Sequence, residues 1–281
     1  MSDLDEIGDW SIDKLAILRA YAEQYSRILK NQPFLSCGYI DAFAGAGEHK
    51  RKATGEIVPG SPVNALHVSH AFDEYHFIDV DPDRVARLRE ITHENPRVSV
   101  HHGDCNRILL DTVFPRFRYE QRRRALCFLD PYGTHLHWEI MATAGLMKSV
   151  EIFLNFPVND MNRNAKRWSL TEVSQKERER MTAFWGDESW HKAMFPPDPQ
   201  SNFLGPLLGQ EAVVEREKAA NDSFAKAFGR RLRGAGGFTY VPDPVPMRNS
   251  RNSELYYLFF ASNNATGAKI ANAIFSHYRR S

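Results

Sequence analysis

The sequence predicts an α/β fold: a mostly parallel β-sheet with helices on both faces and a helical insert. Three observations predict it. Between residues 35 and 156 short apolar runs alternate with amphipathic helical segments, and strand–helix–strand alternation puts crossover helices on both sides of a parallel sheet. Four of the apolar runs end in a turn that carries an aspartate. Beyond Pro157 the alternation stops, polar helical sequence follows to about residue 232, and strand-like sequence then returns.

Each element has its own signal. Residues 11–30 read as an amphipathic helix, with Ile12, Leu15, Ala16, Ile28 and Leu29 on one stripe and Tyr21 and Tyr25 beside it. Asn31-Gln32-Pro33 stops it. Leu35–Phe43 is a short, apolar first strand of the kind buried in a parallel sheet. It runs into Ala44-Gly45-Ala46-Gly47 and a polar loop of about a dozen residues. Ser61 as N-cap and Pro62 at the first helical position predict a helix from about 62 to 71. Tyr75–Val80 is the second strand, and Asp81-Pro82 repeats the cap-plus-proline start for the helix that follows. Val98–His101 is the third strand, followed by Gly103-Asp104 and a helix near 106–114. Ala125–Leu129 is the fourth, ending in Asp130-Pro131-Tyr132-Gly133. A helix around 137–147 leads to the fifth strand, Ser149–Phe156. After the insert come strands near Phe238–Val241 and over Glu254–Ser262, then a helix around 266–278. The expected organisation is one sheet domain from 1–157 and 236–281, with 158–235 as the insert on the substrate or partner side.

Composition narrows the function. The 281 residues are 42% hydrophobic and 25% charged, with a formal net charge of +1, which suits a globular protein and not a strongly basic DNA coat. No apolar run reaches the roughly 18–20 residues of a membrane helix, and the acidic start lacks a signal-peptide layout. The expectation is a soluble, cytoplasmic protein without a membrane. Cys37, Cys105 and Cys127 are odd in number and widely spaced, so reduced thiols near the core are expected and no disulfide framework or zinc site. The histidines show no metal-ligand spacing, and no metal is expected.

The chemistry-bearing residues sit at strand ends. A glycine pair after a first strand lets backbone approach a ligand. Position 50 is Lys, so the dinucleotide fingerprint G-x-G-x-x-G is broken, which counts against NAD or FAD; no P-loop exists either. Asp41, Asp79, Asp104 and Asp130 close or follow successive strands, and that edge is where open α/β sheets bind ligands. Any one of them is equally a turn or cap residue; four in register are harder to read so.

D-x-F-A-G-x-G at 41–47, the acid closing strand two, Gly103-Asp104 and Asp130-Pro131-Tyr132 resemble the class I S-adenosylmethionine-dependent methyltransferases. More narrowly, YIDAFAGAGEH, the GSP at 60–62, YHFIDVDPDRVARL, FLDPYG, and LYYLFFAS with its downstream TGAKIAN are similar to the three-Cys-motif partner (TcmP) family. The resemblance covers most of the chain outside the insert. It implies a Rossmann-like class I methyltransferase sheet and S-adenosyl-L-methionine as cofactor. It places Asp41, Phe43, Ala44, Gly45 and Gly47 against the methionine part, Asp79 on the ribose hydroxyls, Asp104 on the adenine amino group and Cys105 beside the ring. Asp130, Pro131 and Tyr132 become the catalytic set, similar to the D-P-P-Y of amino-methylating enzymes, with the acid holding the amine and the ring stacking on a base. The second proline is missing; D-P-Y-G is closer to the D-P-F-G of tRNA guanine-N2 methyltransferases.

Gly133, His135, Asn155, Arg248 and Arg251 are then the candidate substrate contacts. The implied substrate is a nucleobase, nucleoside or nucleic acid, with N-methylation favoured. The alternative is a non-catalytic accessory partner of a three-cysteine-motif protein, using the fold for binding. The arginine clusters at 116–124 and 230–233 are read as phosphate contacts or as a solvated face. The insert aromatics Trp168, Phe184, Trp185, Trp190 and Phe195 are read as a small core.

Overall fold

A computed structural model describes residues 4–164, 173–194, 210–249 and 252–279. The chain opens with β1 (Glu6–Ile7), α1 (Asp9–Lys30), β2 (Ser36–Asp41), β3 (Glu48–Arg51), β4 (Ile57–Pro59), α2 (Ser61–Leu66) and β5 (Glu74–Asp79). It continues through α3 (Pro82–Thr92), β6 (Val98–His102), α4 (Cys105–Ile108), β7 (Arg123–Leu129), α5 (Trp138–Met147) and β8 (Val150–Phe156). Among the described residues four helices follow, α6 (Val158–Asn164), α7 (Gln175–Trp185), α8 (Trp190–Met194) and α9 (Gln210–Arg233), then β9 (Val245–Arg248), β10 (Glu254–Ala261) and α10 (Ala265–Tyr278).

Seven strands form one sheet in the order β6-β5-β2-β7-β8-β10-β9. Strands β6, β5, β2, β7 and β8 pair in parallel, while β10 is antiparallel to both β8 and β9. The fold is therefore the expected α/β, a Rossmann-like sheet with one reversed strand. The chain steps outward from β2 to β5 and β6, then crosses back to β7 on the other side of β2. That reversal makes the carboxyl ends of β2 and β7 the topological switch point, the place where such sheets hold ligands.

Alternation along the strands supplies both cores. Cys127 and Leu129 face one side of β7, packed with Ile40, Ile152, Leu154 and Phe259. Leu126 and Phe128 face the other, packed with Tyr39, Phe77, Phe153 and Phe260 beneath α1 and α10. The first face also takes the aromatics of the insert region. Phe156 has ring neighbours Phe184, Phe224, Phe228 and Phe259 at centroid separations of 4.5–5.8 Å, and Trp185 stacks on Phe224 at 5.1 Å. Phe184, Trp185 and Trp190 are thus core residues, each contributing about 1.5–3 kcal/mol by burial. Trp168 and Phe195 lie outside the described residues.

Several local expectations change. The polar segment after Gly47 is a hairpin, β3 with β4, and β1 joins it in parallel to make a small three-stranded sheet. The N-cap of α2 is Gly60 rather than Ser61, and the helix ends at Leu66. After α4 the chain passes through a π-helical turn at Leu109–Val113 and a 3₁₀ turn at Phe114–Arg116, because Pro115 cannot continue an α-helix. Tyr240 makes a single bridge to Ser262, and the strand beside β10 is β9, further along. On α1 the buried stripe runs Leu15, Leu18, Tyr21, Ala22, Tyr25 and Leu29, with Ala16 exposed. The three cysteines are free and buried. Burial pushes the Cys37 and Cys105 thiols up to about 12, so neither is a ready nucleophile. No helix among the described residues is long and apolar enough to cross a membrane.

Candidate functional site

The glycine turn is built by backbone conformation. Gly45 has φ +63° and Gly47 φ +85°, where a side chain is strained. The two glycines look in different directions. A Cβ on Gly47 would stand 2.6 Å from Ile91 Cδ1 and 3.2 Å from Leu88 Cδ2, so this glycine lets the turn pack on α3. A Cβ on Gly45 would meet nothing within 4 Å.

Asp79 ties that turn to the end of β5. Its Oδ2 accepts from Gly45 N–H at 2.8 Å and its Oδ1 from Asp81 N–H at 2.9 Å. Each carboxylate oxygen keeps a further lone pair. Asp81 is the N-cap of α3, accepting from Asp83 and Arg84 N–H, as its place before Pro82 predicts. Between the two acids, Val80 is 71% exposed. Asp104 caps α4 by accepting from Asn106 N–H, and its carboxylate is exposed; Cys105 beside it is buried.

Asp41 is fully buried at the end of β2. Burial pushes its carboxyl up to about 7, partly offset by the neighbouring Ser61 hydroxyl and Phe43 N–H. Oδ1 accepts from Phe43 N–H at 3.3 Å, while Oδ2 is buried with no hydrogen-bond partner. Such an orphaned acceptor is costly unless something completes it.

Asp130 leaves the end of β7 and has a side-chain partner on each oxygen. Oδ1 accepts from Asn155 Nδ2 at 2.7 Å, and Oδ2 forms an ion pair with Lys14 Nζ. Asn155 Oδ1 is buried and unpaired. Lys14 comes from α1, is only 6% exposed, and sits 5.2 Å from the Trp10 ring and 5.7 Å from the Phe128 ring. Tyr132, 59% exposed, accepts from Arg84 at 2.8 Å and donates to Asp5 at 3.3 Å; Arg84 also pairs with Asp5 at 2.9 Å.

A cavity of about 300 Å³ is lined by the N-terminal segment, the glycine turn and the Asp130 loop. Phe43, Ala44, Gly45, Asp130, Pro131 and Tyr132, all candidates from the sequence, line it together. Trp10, Lys14, His49 and Tyr256 line it too, and the sequence reading did not single them out. Trp10 stacks on Tyr256 at 5.0 Å. His49 has a buried, unpartnered Nδ1, and burial lowers its pKa.

The other predicted residues stand apart from the cavity lining. Asp41, Gly47, Asp79, Asp104 and Cys105 belong to the same sheet edge and are not among the residues that line the cavity. Gly133 has φ +62° and packs against Asp160. His135 is exposed and offers its backbone carbonyl to Asn106. Arg248 pairs with Glu254 at 3.3 Å on the outer strands. Arg251 lies outside the described residues. Of the first arginine cluster, Arg116 and Arg123 are bound to Glu74 and Arg124 lies over Tyr119 at 3.7 Å, so much of its charge is answered within the chain.

No protein-family model matches the chain, and no curated protein matches it. Among solved structures it is similar to a Legionella pneumophila protein of the DUF519 family, 13% identical over 93% of this chain and 91% of that one, with a TM-score of 0.46. A Listeria monocytogenes protein carrying the designation of an S-adenosylmethionine-dependent methyltransferase is 11% identical over 87% of this chain and 99% of that one, with a TM-score of 0.39. PKMT2 from Rickettsia typhi, solved in complex with AdoHcy, is 9% identical over 87% of this chain and 53% of its own, with a TM-score of 0.34.

Proposed function

We propose that this chain is an S-adenosylmethionine-dependent methyltransferase that acts on an amino nitrogen of a nucleobase, in a nucleoside or a nucleic acid. The observation that carries the reading is at the switch point. Gly45 leaves open space where a side chain would be, and its N–H is fixed by the Asp79 carboxylate. The donor set suits the cofactor. Asp79 has lone pairs left for a diol, Asp104 is an exposed acceptor for an amino group, and Val80 offers an apolar face to a heterocycle. Phe43, Ala44 and Gly45 would border the methionine part, with the orphaned Asp41 oxygen beneath them.

When bound, S-adenosylmethionine supplies a methyl group on a sulfonium sulfur. The chain's own residues position the acceptor. Asp130 accepts a hydrogen bond from the amine, Asn155 and Lys14 fix the carboxylate, and the exposed Tyr132 ring offers a stacking surface. Positioning of this kind provides most of the acceleration in an in-line transfer. The three-cysteine-motif protein is a proposed partner on the sequence resemblance alone.

Calorimetric titration with S-adenosylmethionine and S-adenosylhomocysteine tests the reading. Micromolar binding is expected, and Asp79→Ala should abolish it. Folded wild-type protein that binds neither ligand would overturn the enzyme reading in favour of the accessory one.

A further inference from the structure

On the acceptor side of the cavity, one group beside Asp130 has donors beyond those that fix the carboxylate. Lys14 is a buried ammonium with three N–H donors. The Asp130 pair takes one of them, and among the described residues Lys14 makes no other hydrogen bond. Its side chain lines the cavity beside Asp130, between the Trp10 and Phe128 rings. A donor and an acceptor therefore stand side by side, on a wall completed by Trp10, Tyr256 and Tyr132. Burying a lysine here is costly, and α1 could place an apolar residue at this position for packing alone.

We infer that Lys14 is the specificity-determining residue of the acceptor site: it donates to the ring nitrogen next to the amine that Asp130 holds, so the site selects an N=C–NH2 edge. This rests on the proposed methyl transfer and deepens it. Adenine, cytosine and the amino edge of guanine present that arrangement; uracil and hypoxanthine do not. A lactam edge also offers a donor and an acceptor side by side, but its nitrogen must give up its proton before attacking a methyl group. Asp130 already accepts from Lys14 and Asn155 on its two oxygens, an arrangement suited to holding a hydrogen bond. An exocyclic amine loses its proton only after the new bond begins to form.

The test uses protein saturated with S-adenosylhomocysteine, whose own binding is measured first. Adenosine, cytidine, guanosine, uridine and inosine are then titrated by ligand-observed NMR. At least one amino nucleoside should bind about tenfold or more tightly than uridine and inosine. Replacing the ring nitrogen beside its amine by C–H, as in 1-deazaadenosine or 3-deazacytidine, should weaken the preferred ligand by about tenfold or more, the penalty of leaving a buried donor unpaired. Lys14→Met should erase the difference between the parent and deaza ligands while S-adenosylhomocysteine still binds. The deaza comparison on wild-type protein stands even where Lys14→Met fails to fold.

Equal binding of parent and deaza ligands, uridine or inosine binding as tightly, or no nucleoside binding at millimolar concentration to the loaded protein would overturn the role of Lys14, while the bound S-adenosylhomocysteine would leave cofactor-dependent methyl transfer standing, whatever its acceptor. Failure of S-adenosylhomocysteine itself to bind would overturn both.

Discussion

The acids at the two ends of the parallel strands are partnered differently. At the amino ends, Glu74 is held by Arg116, Arg123 and His76, and Glu151 by Tyr21 and Ser262. Their demand for donors is met inside the chain. At the carboxyl ends, Asp41 has an orphaned oxygen, Asp104 is exposed beyond its capping bond, and Asp130 borders a cavity. One end spends its acids on fixing strands and helices; the other keeps acceptor capacity in reserve. In a fold whose ligand sites sit at the carboxyl ends, that asymmetry separates residues that hold the sheet from residues with acceptor capacity left for the proposed ligand.

Substitutions at the two ends should therefore give opposite signatures. Asp79→Ala removes the acceptor proposed for two hydroxyls, and hydrogen bonds to a charged group are worth about 1.5–3 kcal/mol each. Affinity for S-adenosylhomocysteine should fall by about 100-fold or more in calorimetry. Glu74→Ala should do the reverse. It strands two arginines at the start of β5, and because both are partly exposed the cost is less than for a fully buried pair, about 2 kcal/mol. Chemical denaturation should show that loss while ligand affinity stays within about twofold. If Glu74→Ala weakened the ligand as much as Asp79→Ala, the division between the two ends would collapse.

Titration sharpens the same contrast. Burial pushes Asp41 and Glu151 each up to about 7. In the unfolded chain both ionise near the ordinary carboxylate range of about 4. Between those values the folded state holds protons that the unfolded state has released, so stability falls as pH rises from about 4 to about 7. Glu74 runs the other way. The His76, Arg116 and Arg123 partners outweigh its burial and hold it down at about 2, so its contribution is present above the ordinary carboxylate value and is lost as pH falls towards 2. Between about pH 4 and 7 the two acids together contribute a decline of about 2.7 kcal/mol per pH unit, against which His101, held down at about 4 by burial, contributes a rise of about half that size up to about pH 6.5. Asp41→Asn should flatten the decline by about half, with Glu151 supplying the rest. Wild-type and Asp41→Asn profiles that run parallel from about pH 4 to 7 would contradict the burial of Asp41, whatever the histidines add to both.

Much of the carboxyl-end set was legible because its signals are local. Asp79 and Asp130 close apolar runs, and Asp81 precedes a proline that starts a helix, so each is placed by its immediate neighbours. Lys14 was not legible, because its partner lies 116 residues away. A trace of it exists all the same: Lys14 falls in phase with Leu18, Tyr21 and Tyr25, so a charged residue interrupts a buried stripe. The β3–β4 hairpin was missed because Glu48–Arg51 is polar throughout and shows no alternation. Strand β9 was missed because Pro246 lies inside it, a residue tolerated on an edge strand and rare in the middle of a sheet. The arginines at 116–124 read equally as phosphate contacts or as a solvated face; only the fold brings Glu74 to Arg116 and Arg123.

The smallest expected effect is the most discriminating within the site itself. Gly45→Ala adds a methyl group where no atom lies within 4 Å, so its only folding cost is the positive φ, about 1–2 kcal/mol. Gly47→Ala adds the same methyl against Ile91 and Leu88 and should cost more. If the space beside Gly45 is the cofactor's, Gly45→Ala should weaken S-adenosylhomocysteine by about tenfold or more while melting only slightly below the wild type. Gly47→Ala should lower the melting temperature further and leave the affinity of the remaining folded protein closer to normal. Equal affinity losses at both positions would mean that the turn's backbone shape, and not the open space beside Gly45, is what the ligand requires.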